Sequence, residues 1–177
     1  MIVLMAGLPG TGKTMLAREL AHRTQGALLN KDEIRAALFA PADIQYSVTQ
    51  DDFVVEVMIQ TARFLLQTNP TRKVFLDGRP FSRRNQIDRV LEFARELAQP
   101  WRIIECICSD ESARRRLDLE PDPKHPAQNR SFALYLKMKA SFETIAAPKT
   151  VVCTDDPLEL CLQQVAVALA ESLSPRK

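Results

Sequence analysis

The sequence lacks the features that mark several large classes of protein. No apolar run approaches the length of a membrane span, and no basic segment precedes the first apolar stretch, so we expect neither a membrane protein nor a secretory signal. Lysine and arginine number 24 against 22 aspartates and glutamates, a net charge of +2. That balance gives no sign of the strongly basic surface typical of duplex-binding proteins. The sequence therefore predicts a cytoplasmic protein without a duplex nucleic acid or a membrane as partner.

Cysteine spacing of the zinc-binding type is also missing. The four cysteines stand at positions 106, 108, 153 and 161, and we interpret them as buried free thiols. With 177 residues, 46% of them hydrophobic and 26% charged, the chain has the size and composition of one globular domain spanning residues 1–177. No internal repeat or linker divides it, and the sequence leaves open whether it is a monomer or a homodimer.

Glycine is scarce, and its distribution is the most informative feature of the chain. Only five glycines occur, and three of them, Gly7, Gly10 and Gly12, fall in the run GLPGTGKT at residues 7–14. An apolar stretch precedes this run and helical spacing follows it, which is the strand, loop and helix context of a phosphate-binding loop. In such a loop the backbone N–H groups and the helix N-terminus face a polyphosphate. The run therefore predicts nucleotide binding.

Two side chains complete the predicted nucleotide site. Lys13 supplies a mobile catalytic cation for the phosphates, and Thr14 offers its hydroxyl to a magnesium ion. The expected nucleotide contacts in this segment are Leu8, Pro9, Gly10, Thr11, Gly12, Lys13, Thr14 and Met15.

Apolar runs and helical patterns alternate along the chain. This order predicts an α/β fold with a parallel sheet, helices on both faces, and ligands bound beyond the carboxyl ends of the strands. We expect Thr49, Ser82 and Ser109 to open three of the helices. The stretch after Glu120 is too rich in proline and polar residues to be regular, so residues 109–130 are predicted to form a mobile lid. The predicted strands are residues 2–6, 27–30, 73–76, 101–108 and 150–153.

Asp32 and Arg35 follow the second predicted strand and lie three residues apart, on the same face of a helix. In a phosphoryl-transfer site a carboxylate can accept the proton of an attacking hydroxyl, while an arginine holds a substrate phosphate or carboxylate. The alternative is a surface ion pair of little consequence. The position one element after the phosphate-binding loop favours the catalytic interpretation.

The third predicted strand is followed by Asp77. An acid after an apolar strand is the usual second anchor of magnesium in this kind of site, so we expect Asp77 to complement Thr14. Arg79 and Arg83 come next and are predicted to reach the phosphoryl acceptor. An Asp-Gly turn without function is the alternative.

These motifs resemble those of P-loop kinases of the polynucleotide kinase and zeta toxin type, which are grouped with small AAA-like ATP-binding kinases. The matching segments are GLPGTGKT, KDEIR, VFLDGRPFSRR and SDESARRRL. The resemblance implies a three-layer P-loop NTPase fold of the nucleoside-kinase type, with a five-stranded sheet in the order 2-3-1-4-5 and a helical lid. It also implies ATP and Mg²⁺, with Asp32 as the general base and Arg35 in the acceptor site.

Members of that family usually carry two lid arginines spaced four residues apart. Here Arg116 occupies the first place and Glu120 the second, so we expect Arg130, beyond a hinge at His125 and Pro126, to supply the missing catalytic cation. Such arginines stabilise the transferring charge and help to exclude water. The adenine is predicted to lie between the lid helix and residues 154–156. Arg116 and Asp155 would contact the nucleotide there.

The sequence thus predicts an ATP- and magnesium-dependent phosphotransferase whose acceptor is a hydroxyl of a small molecule or of a nucleic-acid 5′ end. Aromatic residues form only 6% of the chain, and those available for stacking bases, Phe39, Tyr46, Phe81 and Tyr135, are scattered. We therefore favour a small metabolite or antibiotic-like acceptor over RNA. A regulatory module that hydrolyses ATP without an acceptor is the alternative function.

Overall fold

The computed structural model describes residues 1–121, 126–127 and 129–170. Its strands form one parallel five-stranded sheet in the order β2-β3-β1-β4-β5. The α/β fold and the strand order expected from the sequence are confirmed. The strands are β1 Ile2–Ala6, β2 Ala27–Asn30, β3 Val74–Asp77, β4 Trp101–Ile107 and β5 Thr150–Cys153.

Helices connect the strands and cover the sheet. A short 3-10 turn, Pro41–Asp43, precedes the longest of them. The helices are α1 Lys13–Arg23, α2 Lys31–Leu38, α3 Val48–Thr68, α4 Arg84–Glu96, α5 Asp110–Arg114, α6 Phe132–Ala140 and α7 Leu158–Ala170. Within the described residues, none of these helices is long and apolar enough to cross a membrane.

The central strand β1 shows how the apolar sequence builds a core on both sides of the sheet. Side chains alternate along a strand, so Ile2 and Leu4 pack with α3 and α4 on one face. Val3 and Met5 pack with α1 and α7 on the other face. Every residue of β1 is buried, as expected for a parallel strand covered on both faces.

Two helices begin at other residues than the sequence predicts. Ser47, not Thr49, caps α3, because its hydroxyl accepts the Gln50 N–H at 3.2 Å. Helix α4 begins at Arg84 rather than at Ser82. The carboxylate of Glu143, distant in sequence, accepts the Arg84 N–H at 2.7 Å and so satisfies a donor that a local cap would otherwise have to meet.

The predicted lid follows β4. Ser109 caps α5 as expected, through a 3.2 Å bond from the Ser112 N–H, and α5 continues into one π-helical turn, Arg115–Leu119. Part of the predicted lid, residues 122–125 and 128 with the hinge residue His125, lies outside the described residues. Helix α6 packs back on α5, because the Tyr135 hydroxyl donates to Asp110 at 2.6 Å and Lys139 pairs with the same carboxylate.

Candidate functional site

The phosphate-binding loop is held in a conformation that its glycines make possible. Gly7 has φ 128° and Gly12 has φ 76°, backbone angles that other residues rarely adopt. A Cβ at Gly7 would lie 2.2 Å from the carbonyl oxygen of Cys106, so only glycine lets the loop approach β4 this closely. The Gly7 N–H also donates to the Pro80 carbonyl at 3.0 Å, which ties the loop to the exit of β3.

Lys13 is buried at the start of α1. Its ammonium donates to the carbonyl of Leu8 at 2.7 Å, so the lysine is folded back over its own loop. Burial lowers the pKa of Lys13, an effect opposed by the carboxylates of Asp77 and Asp32 and reinforced by the charge of Arg130. The charges of these three predicted site residues therefore act on Lys13.

Asp77 ends β3 and is fully buried. One carboxylate oxygen accepts the side-chain N–H of Asn30 at 2.7 Å, while the other, Oδ1, has no hydrogen-bond partner among the described residues. A buried carboxylate oxygen without a partner is costly unless a ligand satisfies it. Mg²⁺ takes oxygen ligands and is usually held by one or two protein groups together with phosphates and waters. The hydroxyl of Thr14 and the free oxygen of Asp77 fit that pattern.

Asp32 lies in a cluster that the sequence revealed only in part. The Asn30 side chain caps α2 by accepting the N–H groups of Asp32 and Glu33 at 2.9 and 3.1 Å, which fixes Asp32 in the first helical turn. The Arg35 guanidinium donates to Asp32 Oδ1 at 2.9 Å and also to Asp51 at the start of α3. We call the residues Lys31, Asp32, Arg35 and Asp51 the charge cluster.

Lys31 joins the same two carboxylates. Its ammonium lies 2.8 Å from Asp51 Oδ1 and 3.4 Å from Asp32 Oδ1. Tyr46 lies beside the cluster, with the Arg35 guanidinium 5.4 Å from the centre of its ring. The sequence did not identify Lys31 or Asp51 as site residues. An acid such as Asp51 is ordinary in the first turn of a helix, and nothing in the neighbouring sequence links Asp51 to α2. From the sequence, Tyr46 stands out only as one of several scattered aromatics.

A cavity of about 770 Å³ opens at the carboxyl ends of the strands. It is lined by the phosphate-binding loop, the charge cluster, Tyr46 and parts of the lid. The loop and the charge cluster, contributed by segments that follow different strands, thus face one space. The predicted site residues that line it are Pro9, Gly10, Gly12, Lys13, Thr14, Met15, Asp32, Arg35, Arg116 and Arg130.

Arg116 ties the lid to the nucleotide side of the cavity. Its guanidinium donates to the Gly10 carbonyl at 3.2 Å, to the Thr154 hydroxyl at 3.0 Å and to the Thr154 carbonyl at 2.7 Å. The Thr154 hydroxyl in turn donates to the Thr11 carbonyl at 2.9 Å. Sequence reasoning placed an adenine contact in this segment but did not identify Thr154 as the link between lid, loop and β5.

The structure does not bring every predicted site residue to the cavity. Among the described lining residues, Arg79, Arg83 and Asp155 are absent. Arg79 pairs with Asp52 at 2.6 Å, and Arg83 pairs with Glu143 at 3.0 Å.

Asp155 instead supports the start of the lid helix, because its carboxylate accepts the backbone N–H of the cap residue Ser109 at 2.7 Å. Hydrogen bonds from Ser112 and then Ser109 lower the pKa of Asp155. Leu8, Thr11 and Asp77 are also predicted site residues that do not line the cavity in the described part of the chain. Leu8 offers its carbonyl to Lys13 and to the Thr11 hydroxyl.

Three solved structures share this fold at low sequence identity. The APS kinase CysC of Mycobacterium tuberculosis in complex with AMPPNP and APS aligns with a TM-score of 0.70 and 17% identity over 96% of this chain and 97% of its own. Kti12 of Chaetomium thermophilum in complex with ADP-AlF3 aligns with a TM-score of 0.69 and 16% identity over 97% and 100%. A gluconokinase of Sinorhizobium meliloti 1021 aligns with a TM-score of 0.68 and 13% identity over 95% and 90%. At such identities the likeness establishes the fold alone.

A comparison with curated proteins gave no match. A comparison with protein families matched the AAA domain over residues 2–145, a range that contains the phosphate-binding loop, the charge cluster and the lid. The chain therefore belongs to the AAA domain family.

Proposed function

We propose that the protein is an ATP-dependent kinase that transfers the γ-phosphoryl group to an alcohol hydroxyl of a small molecule. The observation that carries this proposal is that Lys13 of the phosphate-binding loop and the Asp32 carboxylate line the same cavity. One supplies the cation that a polyphosphate needs, and the other supplies an acceptor for a hydroxyl proton. A site that only binds nucleotide has no use for the second group.

The phosphate-binding loop forms the donor half of the proposed site. Its backbone N–H groups and the N-terminus of α1 face the phosphates, and Lys13 exchanges its bond to the Leu8 carbonyl for a phosphate oxygen. Thr14 and Asp77 would hold Mg²⁺, which when bound neutralises charge on the phosphates. The exposed apolar side chains of Met15 and Leu158 also line the cavity and offer a surface for the nucleobase.

The charge cluster forms the acceptor half. The acceptor hydroxyl oxygen bonds to the γ-phosphorus, the bond from that phosphorus to the bridging oxygen of ADP breaks, and the hydroxyl proton passes to Asp32. Arg35 and Lys31 hold the Asp32 carboxylate in place through ion pairs. Asp32 is therefore positioned before substrate arrives, which favours catalysis by orientation.

The lid completes the site. Arg130 lines the cavity and acts electrostatically on Lys13, which supports the prediction that it serves the transferring phosphoryl group. Arg116 anchors the lid to the nucleotide side through Gly10 and Thr154. We propose that Arg116 orients the phosphate-binding loop and contacts the nucleotide, while Arg130 stabilises the transferred charge. Closure over both substrates would also exclude water.

The family resemblance supports the same chemistry. Asp32 and Arg35 match the aspartate and arginine of the polynucleotide kinase and zeta toxin type, in which the aspartate is the general base. Two of the three similar structures are kinases of small molecules, APS and gluconate by their names. We propose a small-molecule acceptor for this chain as well, with Mg²⁺ and ATP as the remaining requirements.

Substitution of Asp32 tests the proposal. In Asp32→Asn the side chain keeps its shape but loses its capacity to take a proton, so we expect phosphoryl transfer to fall at least a hundredfold, while ATP affinity stays within about twofold. ADP release is measured with a panel of sugars, nucleosides, aminoglycosides and 5′-hydroxyl oligonucleotides. Nucleotide affinity is measured in parallel by calorimetry. ADP release that no acceptor stimulates, and that Asp32→Asn leaves unchanged, would favour the regulatory ATPase.

A further inference from the structure

In the charge cluster the carboxylates are more exposed than the cations. All four of its residues line the cavity. The side chains of Asp51 and Asp32 are 25% and 12% exposed, whereas those of Lys31 and Arg35 are 7% and 2% exposed. A molecule that enters the acceptor half therefore meets mainly carboxylate oxygens.

The positive charges of the cluster are already engaged. The two terminal nitrogens of Arg35 donate to Asp32 and to Asp51, and the Lys31 ammonium contacts both of these carboxylates. The remaining Arg35 donor, Nε, is enclosed and has no hydrogen-bond partner among the described residues. Two cations and two carboxylates cancel, so an acceptor anion would have to displace a carboxylate from Arg35 and then lie beside two like charges.

The other cations that line the cavity do not change the charge balance at the acceptor half, which is formed by the charge cluster. Lys13 lies at the phosphate-binding loop, and the charge of Arg130 acts on Lys13. Arg116 donates to the carbonyls of Gly10 and Thr154 on the nucleotide side. Arg18 lines the cavity but forms an ion pair with Glu33 at 2.6 Å. The positive charge of the cavity is thus concentrated at the donor half.

The two carboxylates are close enough to act on one small molecule. Asp51 Oδ1 and Asp32 Oδ1 lie 2.8 and 3.4 Å from the same Lys31 ammonium nitrogen. An ionised carboxylate is a hydrogen-bond acceptor only, so its complement is a hydroxyl or an ammonium group. The two carboxylates together therefore suit a molecule that carries two hydrogen-bond donors.

We infer that the acceptor is an uncharged or cationic small molecule that carries, beside the hydroxyl to be phosphorylated, at least one further hydroxyl or amino group, and that Asp51 binds this further group directly. This inference rests on the proposed kinase function. During transfer the oxygen of the attacking hydroxyl bonds to the γ-phosphorus as ADP leaves, and its proton passes to Asp32. Asp51 keeps its hydrogen bond throughout and so determines which acceptors are used.

Acceptors that differ in charge but keep the same ring and a free hydroxyl test the inference. Glucose, glucosamine and glucuronate form one series, and a nucleoside, its 3′-monophosphate and a 5′-hydroxyl oligonucleotide form a second. Phosphorylated product and ADP are measured with ATP and Mg²⁺ at saturation. In the series that the enzyme phosphorylates, we expect kcat/KM to be at least tenfold higher for the neutral or cationic members than for the anionic members.

The variant Asp51→Asn tests the residue, and its neighbour supplies a matched control. We expect Asp51→Asn to raise the acceptor KM at least tenfold, to leave the KM for ATP within twofold, and to reduce the preference for the uncharged acceptor. Asp52→Asn removes a carboxylate one position away that pairs with Arg79 and, among the described residues, does not line the cavity. It should change none of these values. Asp51→Glu keeps the charge and should retain the preference even where the acceptor KM rises.

Each outcome decides the matter. Higher or equal kcat/KM for the anionic acceptors, or an Asp51→Asn variant with unchanged acceptor KM and unchanged charge preference, would overturn the inference and leave the kinase function intact. If Asp51→Asn does not fold, the charge preference of the parent protein and of Asp51→Glu still supports or refutes it. Failure of every compound to accept phosphate would instead remove the kinase function, and this inference with it.

Discussion

At the scale of single residues, Thr154 links several segments of the nucleotide site. Its hydroxyl donates to the Thr11 carbonyl at 2.9 Å and accepts from Arg116 at 3.0 Å, and its side chain lies 3.3–3.5 Å from the position that a Cβ on Gly12 would take. One hydroxyl therefore joins the phosphate-binding loop, the lid and the segment after β5. The loop depends on this side chain although it is distant in sequence.

We expect Thr154→Val to loosen the loop without changing its shape, since valine replaces the hydroxyl with a methyl group. The lost bonds, one of them to a charged donor, should lower the free energy of unfolding by about 1–3 kcal/mol. We expect ATP affinity to fall roughly tenfold, because binding must then order the loop, which costs about 1.4 kcal/mol per factor of ten. Calorimetry with a nonhydrolysable ATP analogue and urea unfolding measure the two effects.

Thr61→Val is the control for this substitution. The Thr61 hydroxyl donates to the Val57 carbonyl within α3 at 2.8 Å, outside the cavity. The same chemical change there should leave ATP affinity as it is. Equal loss of affinity in both variants, or none in Thr154→Val, would contradict the role given to Thr154.

The same contrast between local and distant contacts explains which site residues the sequence could predict. Lys13 and Thr14 belong to one continuous motif. Asp32 follows a strand end and stands three residues before Arg35, a pairing that the sequence alone shows. Asp51 reaches the cluster only because α3 packs on α2, so its role depends on tertiary structure. Tertiary contacts can also remove a residue from the predicted site. The sequence assigned Arg79 to the acceptor, but in the structure Arg79 forms an ion pair with Asp52 of α3.

At the scale of elements, Asp110 connects the two helices of the lid. It lies at the start of α5 and receives bonds from Lys139 and Tyr135 of α6. The bond from Lys139 and then that from Tyr135 lower the pKa of Asp110 below its usual value of 3.8. The folded protein thus binds this proton more weakly than the unfolded chain does. The contribution to stability is present above about pH 3.8 and is lost as the pH falls through the lower folded pKa.

We therefore expect acid to loosen α6 from α5 in the parent protein, and Asp110→Asn to loosen it already at neutral pH. Hydrogen exchange of the α6 amides, corrected for the intrinsic rate at each pH, should show protection that falls below about pH 3.8 in the parent protein. In Asp110→Asn the protection should be lower at neutral pH and should lack that step.

Glu159 provides the control for the lid. Its pKa is lowered in the same way, by Arg23, but it lies on α7 and does not contact the lid helices in the described structure. Glu159→Gln should leave the exchange of α6 and its pH dependence unchanged. A pH step in α6 that persists in Asp110→Asn would show that another group controls the lid.

Element boundaries show where local sequence is sufficient. The strands were predicted to within one residue at each end, because an apolar run between turn residues marks a buried strand clearly. Helices α3 and α4 start at other residues than the sequence predicts. Ser47 caps α3 in place of Thr49, and Glu143, from a distant segment, accepts the first N–H of α4. Long-range capping cannot be read from neighbouring residues.

At the scale of the whole molecule, the parallel sheet followed from the alternation of strands and helices, but the order of its strands did not. Periodicity predicts crossovers and leaves the position of β3 beside β1 undetermined. The order came from the resemblance to P-loop kinases, and the structure confirms it. That order matters for function, because it places β3 between β1 and β2 and so brings Asp77 between the phosphate-binding loop and the charge cluster.

Because the site is built from segments that follow all five strands, a bound nucleotide should stabilise the entire fold. A ligand at a hundred times its Kd adds about 2.7 kcal/mol to the free energy of unfolding. For a domain of this size we therefore expect ATP with Mg²⁺ to raise the Tm by about 5–10 °C. Lys13→Ala should abolish most of that shift, whereas Arg84→Ala, which removes an exposed cation paired with Asp88 and outside the described cavity lining, should retain it. Scanning calorimetry at fixed protein concentration measures the shift, and a full shift in Lys13→Ala would mean that ATP binds elsewhere.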